Sequence, residues 1–285
     1  MSATRPPQGA RPLVLKRREP APRREDPALQ GTVYLVGAGP GAPDLLTLRA
    51  ARLLEQADIV FHDALVHPAT LAIAARAVKV AVGKRCGKHS TAQKFISKRL
   101  VDAAARYMTV VRLKGGDPML FGRAQEEIAA LEAAHVPYAI VPGVTAALAA
   151  TAELGISFTQ RGVARSVVFA TPRVGDGEAE SDWARGVAAA DSAAIYMGAG
   201  QAQAISDALI AAGKPASTPL AIVESASLAQ SRTIFSNVGA LPGIAAEAFT
   251  GPVVILIGPQ YTARNARATA FEVERCRSLL REAAG

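Results

Sequence analysis

Three short segments hold residues whose types and spacing suit ligand chemistry. The densest is Val111-Arg-Leu-Lys-Gly-Gly-Asp-Pro118, continued by Leu120-Phe-Gly-Arg123 and Gln125-Glu-Glu127. Gly115 and Gly116 permit unusual backbone angles or a close backbone approach. Asp117 precedes a proline and is held extended, so its carboxylate can face a cationic ligand. Arg112, Lys114 and Arg123 surround the turn, more positive charge than a plain strand-to-helix connection requires. Arg112 has two open readings here: a clamp on a ligand carboxylate, or the partner of a structural acid. The second segment, Gly37-Ala-Gly-Pro-Gly-Ala42, formally satisfies the G-x-G-x-x-A dinucleotide fingerprint, with Asp58 or Asp63 near the acidic spacing. Pro40 and Gly41 stand where a phosphate-binding helix should already run, and both are poor there. The loop is read instead as one that brings backbone against a ligand, with a mere tight turn as the plainer alternative. The third segment, Val141-Pro-Gly-Val-Thr-Ala-Ala147, follows a strand and opens a helix with small residues.

Each segment comes directly after a predicted strand. Short apolar, β-prone runs predict strands at Thr32–Val36, Ile59–Phe61, Val78–Val82, Thr109–Leu113 and Tyr138–Val141. Between them, periodicity predicts helices over Asp44–Gln56, with Asp44 as N-cap, and over Ala69–Arg76, Ala92–Arg106 and Glu126–Ala134. This alternation implies right-handed βαβ units and a parallel sheet, whose ligands bind beyond the carboxyl ends of the strands. The second half predicts strands at Ser166–Ala170, Ala193–Met197, Leu220–Val223, Thr233–Phe235 and Val253–Ile257, and helices at Ala202–Ala212 and Glu272–Ala283. The last two strands leave little room for a helix between them, which predicts some antiparallel pairing. The expected division is a tail over 1–30, an α/β domain over 31–145, a second α/β domain over 146–263 and a C-terminal helix over 264–285. Gly175–Glu180 is expected to be an exposed loop.

The 285 residues carry a net charge of +8 and are half hydrophobic, which excludes a wholly disordered chain. Residues 1–28 hold seven basic and three acidic side chains and six prolines. They supply half of the net charge and have no apolar face to bury, so they read as a solvated tail. They lack the apolar core of a secretory signal. No apolar run approaches the roughly 20 residues that span a bilayer. The rest of the chain lacks the basic-aromatic stripe of a nucleic-acid binder. Cys86 and Cys276 form no framework, and the four histidines are scattered without metal-ligand spacing. No metal is expected, and a reduced cytoplasmic setting fits.

In order along the chain, Gly37-Ala-Gly-Pro-Gly41, Phe61-His-Asp-Ala-Leu65, Gly83-Lys84, Arg112-Leu-Lys-Gly-Gly-Asp-Pro118, Phe121-Gly-Arg123, Pro142-Gly-Val-Thr-Ala146 and Tyr196-Met-Gly198 resemble the uroporphyrinogen-III C-methyltransferases. These belong to the tetrapyrrole methylases. The resemblance covers about residues 31–262. It implies a two-domain α/β fold, with a parallel-sheet N-terminal domain, a mixed-sheet C-terminal domain and the active site in the cleft between them. It also implies a homodimer, with no nucleic-acid or membrane partner, that uses S-adenosyl-L-methionine. The implied reaction methylates C2 and C7 of uroporphyrinogen III, giving precorrin-2 via precorrin-1, a branch point of sirohaem, cobalamin and haem d1 synthesis. By the resemblance Pro40, Gly115, Gly116, Asp117, Leu120, Thr145, Ala146, Met197 and Ala226 fall at cofactor positions. Asp63, Lys84 and Arg123 fall at proton-transfer positions, and Glu126 and Arg161 at substrate positions.

Residue chemistry agrees with this assignment. A methyl acceptor carbon must lose a proton elsewhere on its macrocycle, which calls for a positioned base. Asp63, just past a strand end, is the candidate, with capping of the following turn as its bland alternative. Arg123 stays charged and suits a carboxylate clamp. The substrate carries eight carboxylates, an evident target for Arg112, Arg123 and Arg161. Some positions depart from the family pattern. Gln160, Gly162 and Val163 replace the family's His, Asp and Tyr, Ala124-Gln125 replaces Gly-Gly, and Ala226 replaces a glycine. The chain lacks the dehydrogenase/ferrochelatase half of fused sirohaem synthases and is expected to need separate partners for later steps. The alternatives are another precorrin C-methyltransferase and, less favoured, an NAD-dependent Rossmann oxidoreductase.

Overall fold

Aliphatic and β-branched runs build two five-stranded sheets in the computed structural model, which describes residues 30–82, 89–175, 177, 179, 181–244 and 249–262. The first sheet contains β1 (Thr32–Gly37), β2 (Ile59–His62), β3 (Val78–Ala81), β4 (Thr109–Lys114) and β5 (Tyr138–Val141). Its order is β3-β2-β4-β1-β5, parallel throughout. Parallel neighbours need long crossovers, supplied by α1 (Leu48–Gln56), α2 (Pro68–Ile73), α3 (His89–Ala104) and α4 (Ala124–Ala133). One face packs Ala50, Leu54 and Ala74 on Val36, Val60, Val111 and Leu113. The other packs Leu100, Ala103 and Leu131 on Val33, Ile59, Phe61 and Val110. Side chains alternate along a strand, so Arg112 and Lys114 share the face of Val110, toward α3 and α4. The edge strand β3 is exposed and carries Lys79, a charge that discourages pairing with another chain.

The helix expected over 44–56 is two elements. Pro43–Leu45 form a 3₁₀ turn, and α1 begins only after Thr47, whose Oγ1 accepts from the Ala50 amide at 3.2 Å. Thr47, not Asp44, is therefore the N-cap, as its free hydroxyl next to an extended backbone favours.

The second sheet contains β6 (Val167–Ala170), β7 (Ser192–Tyr196), β8 (Pro219–Glu224), β9 (Arg232–Asn237) and β10 (Val253–Ile257), in the order β6-β7-β10-β8-β9. Only β6 and β7 are parallel. Antiparallel pairing is present as expected, but β10 inserts between β7 and β8, and β9 pairs with β8. The wholly apolar Val253-Val-Ile-Leu-Ile257 belongs in the sheet centre, and the more polar β9 belongs at its edge. The short α8 (Leu241–Ile244) does fit between them. α5 (Ala146–Leu154) leaves the first sheet and packs Ala147 and Ala150 on Ala194, Ala221, Val254 and Leu256 of the second. Alanines on both sides allow this close approach. On the opposite face, α6 (Trp183–Ala189) and α7 (Ala202–Ala211) place Val187, Ile205 and Leu209 against Ile195, Ile222 and Ile255.

The tail expected over 1–30, apart from residue 30, and the helix expected over 264–285 lie outside the described residues, as do Lys84 and parts of the loop expected at Gly175–Glu180. Among the described residues no helix is long and apolar enough to cross a membrane.

Candidate active site

Backbone packing forms the floor of the site. The loops leaving β1, β4 and β5 converge at the carboxyl edge of the parallel sheet. Gly39 and Gly116 bridge them, each amide donating to the other's carbonyl at 3.2 and 2.7 Å. Both have left-handed φ, +73° and +66°, where a side chain costs about 1 kcal/mol or more. Gly37 and Gly143 abut behind them, so a Cβ on Gly37 would lie 2.6 Å from the Gly143 Cα. Asp117 ties the third loop in. Its Oδ2 accepts from the Gly143 amide at 2.9 Å and its Oδ1 from the Met119 amide at 2.8 Å. Its oxygens thus organise the loops. Gly115 is exposed beside them, and a Cβ there would touch only Leu65, at 3.6 Å.

Beyond Asp117 the chain is strained. Phe121 and Arg123 both have φ of +53°, at a cost of about 1 kcal/mol or more each. Between them, a Cβ on Gly122 would collide with the Pro118 carbonyl. Arg123 takes the position before α4 and donates from Nε and Nη2 to Glu126 at 2.6 and 2.8 Å. Two residues expected to play separate roles are therefore one exposed fork-to-fork pair. Such a pair is held weakly in water and can exchange partners with a carboxylate ligand. Pro40 and Leu120 are half-buried nearby in sequence to these loops.

The second sheet supplies the facing side. The Tyr196 hydroxyl, at the end of β7, accepts from the Ala147 amide at 3.1 Å and pairs with Thr145 Oγ1 at 2.6 Å. It thereby caps α5, whose own N-cap side chain at Thr145 makes no capping bond. Burial pushes the Tyr196 phenol up, and these two hydrogen bonds oppose it. Its ring lies 5.2 Å from that of Phe121, joining the strained loop to the second sheet. Met197 follows, exposed and with φ of +57°. After β8, Ser227 Oγ accepts from the Ala42 amide at 3.0 Å, and its amide donates to Glu153 Oε2 at 2.9 Å. Left-handed φ falls on Ser225 and Ser227 and not on Ala226, so the backbone at 226 does not require glycine. Arg161 stands exposed on the Gln160–Ala164 turn and makes no hydrogen bond or ion pair with the other candidates.

A buried charge cluster lies under the carboxyl edge. Arg112 Nε donates to Glu127 Oε1 at 2.9 Å, and its Nη2 to Asp63 Oδ1 at 2.5 Å. Lys114 Nζ donates to Glu127 Oε2 at 3.0 Å, and Gln93 Nε2 to Glu127 Oε1 at 3.1 Å. Burial works against the charge on Arg112, but Glu127 and Asp63 outweigh it and hold its pKa above the usual arginine value. Lys114 is pushed down by burial first and by Arg112 second. Of the two readings of Arg112, the structure supports the structural acid: at 2 % exposed it cannot clamp a ligand. Asp63, next to β2, is the cluster's partly exposed end. Glu127 and Tyr196 lie in segments that the sequence singles out, but neither has an assigned role there. Glu127 shares the buried helix face of Ala124, Ile128 and Leu131, so an acid on an apolar stripe was its signal.

The site's surface is mixed in character. Leu65, Met119, Phe121 and Met197 are exposed apolar side chains beside open glycine backbone. This suits a ligand with apolar faces and backbone-matched polar edges, and the uncovered space at Gly115 gives it room.

Comparison with known proteins agrees with this geometry. Residues 32–242 match the family described as Tetrapyrrole (Corrin/Porphyrin) Methylases. The chain is 42% identical over 231 residues to a siroheme synthase of Nitrosococcus oceani, covering 80% of this chain and 49% of that protein. It thus spans about half the length of the curated relatives it matches. Among solved structures, a uroporphyrin-III C-methyl transferase from Thermus thermophilus complexed with S-adenyl homocysteine aligns with a TM-score of 0.70 at 37% identity, covering 80% of this chain and 97% of that one. A cobalt precorrin-4 methyltransferase of cobalamin biosynthesis aligns with a TM-score of 0.69 at 26% identity, covering 81% and 96%. With a parallel and a mixed sheet meeting at glycine-built strand ends, the chain belongs to the tetrapyrrole methylases.

Proposed function

We propose that the chain is an S-adenosylmethionine-dependent C-methyltransferase that methylates uroporphyrinogen III at C2 and C7, giving precorrin-2 through precorrin-1. The observation that carries this reading is the meeting of strand-end loops from both sheets around glycine backbone that opens to solvent at Gly115, with Asp63 held at the carboxyl edge by a buried arginine. Likeness to uroporphyrin-III C-methyl transferase structures supports it. When bound there, S-adenosylmethionine would supply an activated methyl on its sulfonium sulfur, with the thioether as the leaving group. The chain's part is alignment, binding and proton removal. Pro40, Gly115, Gly116, Asp117, Leu120, Thr145, Ala146, Met197 and Ala226 orient the donor, and in-line alignment accounts for much of such a barrier. Asp117 keeps those loops together. Asp63 accepts the proton that leaves the macrocycle after methylation. On the resemblance alone, Lys84 stays in the proton-transfer set. Arg161 and the Arg123–Glu126 pair meet the substrate's carboxylates. We read the enzyme as a cytoplasmic homodimer without nucleic-acid or membrane partners, and the residues 31–145 and 146–263 as its two domains.

A second reading, a later corrin-ring methylase, is favoured by the likeness to the cobalt precorrin-4 enzyme. Incubation with uroporphyrinogen III and methyl-labelled S-adenosylmethionine separates the two. Label transfer to uroporphyrinogen III is the expected result. Transfer only to a ring-contracted precorrin would overturn the first reading in favour of the second.

A further inference from the structure

The charge cluster beneath Asp63 is larger than loop geometry needs. Two cations, Arg112 and Lys114, and two anions, Glu127 and Asp63, balance to zero across β4, α4 and the end of β2. Gln93 from α3 adds a neutral donor. The side chains of Arg112, Glu127 and Lys114 are 3 %, 0 % and 4 % exposed, whereas that of Asp63 is 32 % exposed. Taking such ions out of water is costly, and apolar residues of similar volume often serve stability as well. The cluster opens to solvent only at the carboxylate that stands at the carboxyl edge of the sheet. Arg112 is shared: its Nε is bound by Glu127 and its Nη2 holds Asp63 Oδ1. Among the described residues none donates to Asp63 Oδ2.

We propose that Glu127 is a positioning residue for the methylation reaction. It fixes Arg112 so that the guanidinium holds one oxygen of Asp63 and leaves the other facing the proton to be removed. This rests on the reading of Asp63 as the base. Removing the Glu127 charge frees two buried cations, so that Lys114 sheds its proton or Arg112 turns away from Asp63. Either change disturbs proton removal and leaves the glycine loops that hold the cofactor intact. Residues that share one hydrogen-bond network are coupled and not additive, which gives the role a specific signature.

The test is a double-mutant cycle of Glu127→Gln with Asp63→Asn, read as methyl transfer from labelled S-adenosylmethionine to uroporphyrinogen III at saturation. S-adenosylhomocysteine affinity is measured by calorimetry in parallel. Glu127→Gln alone is expected to lower turnover about tenfold, within the coupling range of one network, with cofactor-product affinity unchanged. In the Asp63→Asn background it is expected to cost less than about twofold. An equal cost in both backgrounds, or wild-type turnover in Glu127→Gln, overturns the proposal. Wild-type turnover in Asp63→Asn instead defeats the reading of Asp63 as base, so the two failures are distinct. If Glu127→Gln fails to fold, Arg112→Lys runs through the same cycle, because lysine keeps the charge and cannot bridge Glu127 and Asp63 together.

Discussion

A guanidinium can meet a polyanion only where it reaches water, and this separates the arginines of the site. Arg112 is sealed beneath Asp63, whereas Arg161 and Arg123 are exposed. Arg161→Ala is therefore expected to raise the KM for uroporphyrinogen III about tenfold, the loss of one charge-assisted contact, with kcat nearly unchanged. Initial rates across substrate concentration check this; an unchanged KM removes Arg161 from the substrate surface. Asp63→Asn is expected to lower kcat by about 10²–10⁴-fold, the usual worth of a general base, without changing S-adenosylhomocysteine affinity in calorimetry. A matching loss of affinity would show that Asp63 shapes the cofactor site instead. Arg112, Asp63 and Arg123 were legible as chemistry because they crowd a Gly-Gly turn or a strand end. Their partners were not, because pairing depends on which strand face and which helix face meet. Two signals were nevertheless present: cations at alternate positions of β4, and Glu127 among the buried positions of α4.

At the level of elements, strands were legible as short apolar, β-prone runs, most continuous where a parallel strand is buried on both faces, and all ten predicted runs form strands. Helix ends and strand neighbours were not. α6 is seven residues with an internal glycine, too short to show a period. The place of β10 depends on burying a wholly apolar run, a property of the assembled sheet. The loop from Asp117 to Arg123 is held by sterics as much as by bonds. Gly122→Ala would drive a methyl into the Pro118 carbonyl and is expected to lower both Tm and turnover. Unchanged values in thermal melts and label transfer would show that the loop relaxes freely. Tyr196→Phe removes the hydroxyl that caps α5 and pairs with Thr145. Its expected cost is about 0.5–2 kcal/mol, the range for a lost helix cap, measured by denaturant titration.

For the whole molecule, charge has a different meaning from the one a net +8 first suggests. Half of it lies in residues 1–28, and the charge cluster, with two cations against two anions, adds nothing to the rest. The homodimer we propose predicts a sedimenting mass of about 59 kDa, twice the chain's 29.5 kDa; a 29.5 kDa species at micromolar concentration would contradict it. The second sheet also carries a pH signature. The Gly251 amide, with the Thr250 amide and Arg232, holds the Glu224 carboxyl below the ordinary carboxylate range against its burial. A group depressed in the fold stabilises above its unfolded pKa, and that contribution fades as pH falls through its folded value. Glu224→Gln is therefore expected to lower Tm at neutral pH and to flatten the loss of stability on acidification. Parallel melting curves for the two proteins would refute this.

The reaction itself is tested most directly by incubating the protein with uroporphyrinogen III and ¹³C-methyl S-adenosylmethionine and locating the label by NMR of the product. The account predicts two labelled methyl groups, at C2 and C7. Label on other ring carbons, or an unlabelled macrocycle, would contradict it.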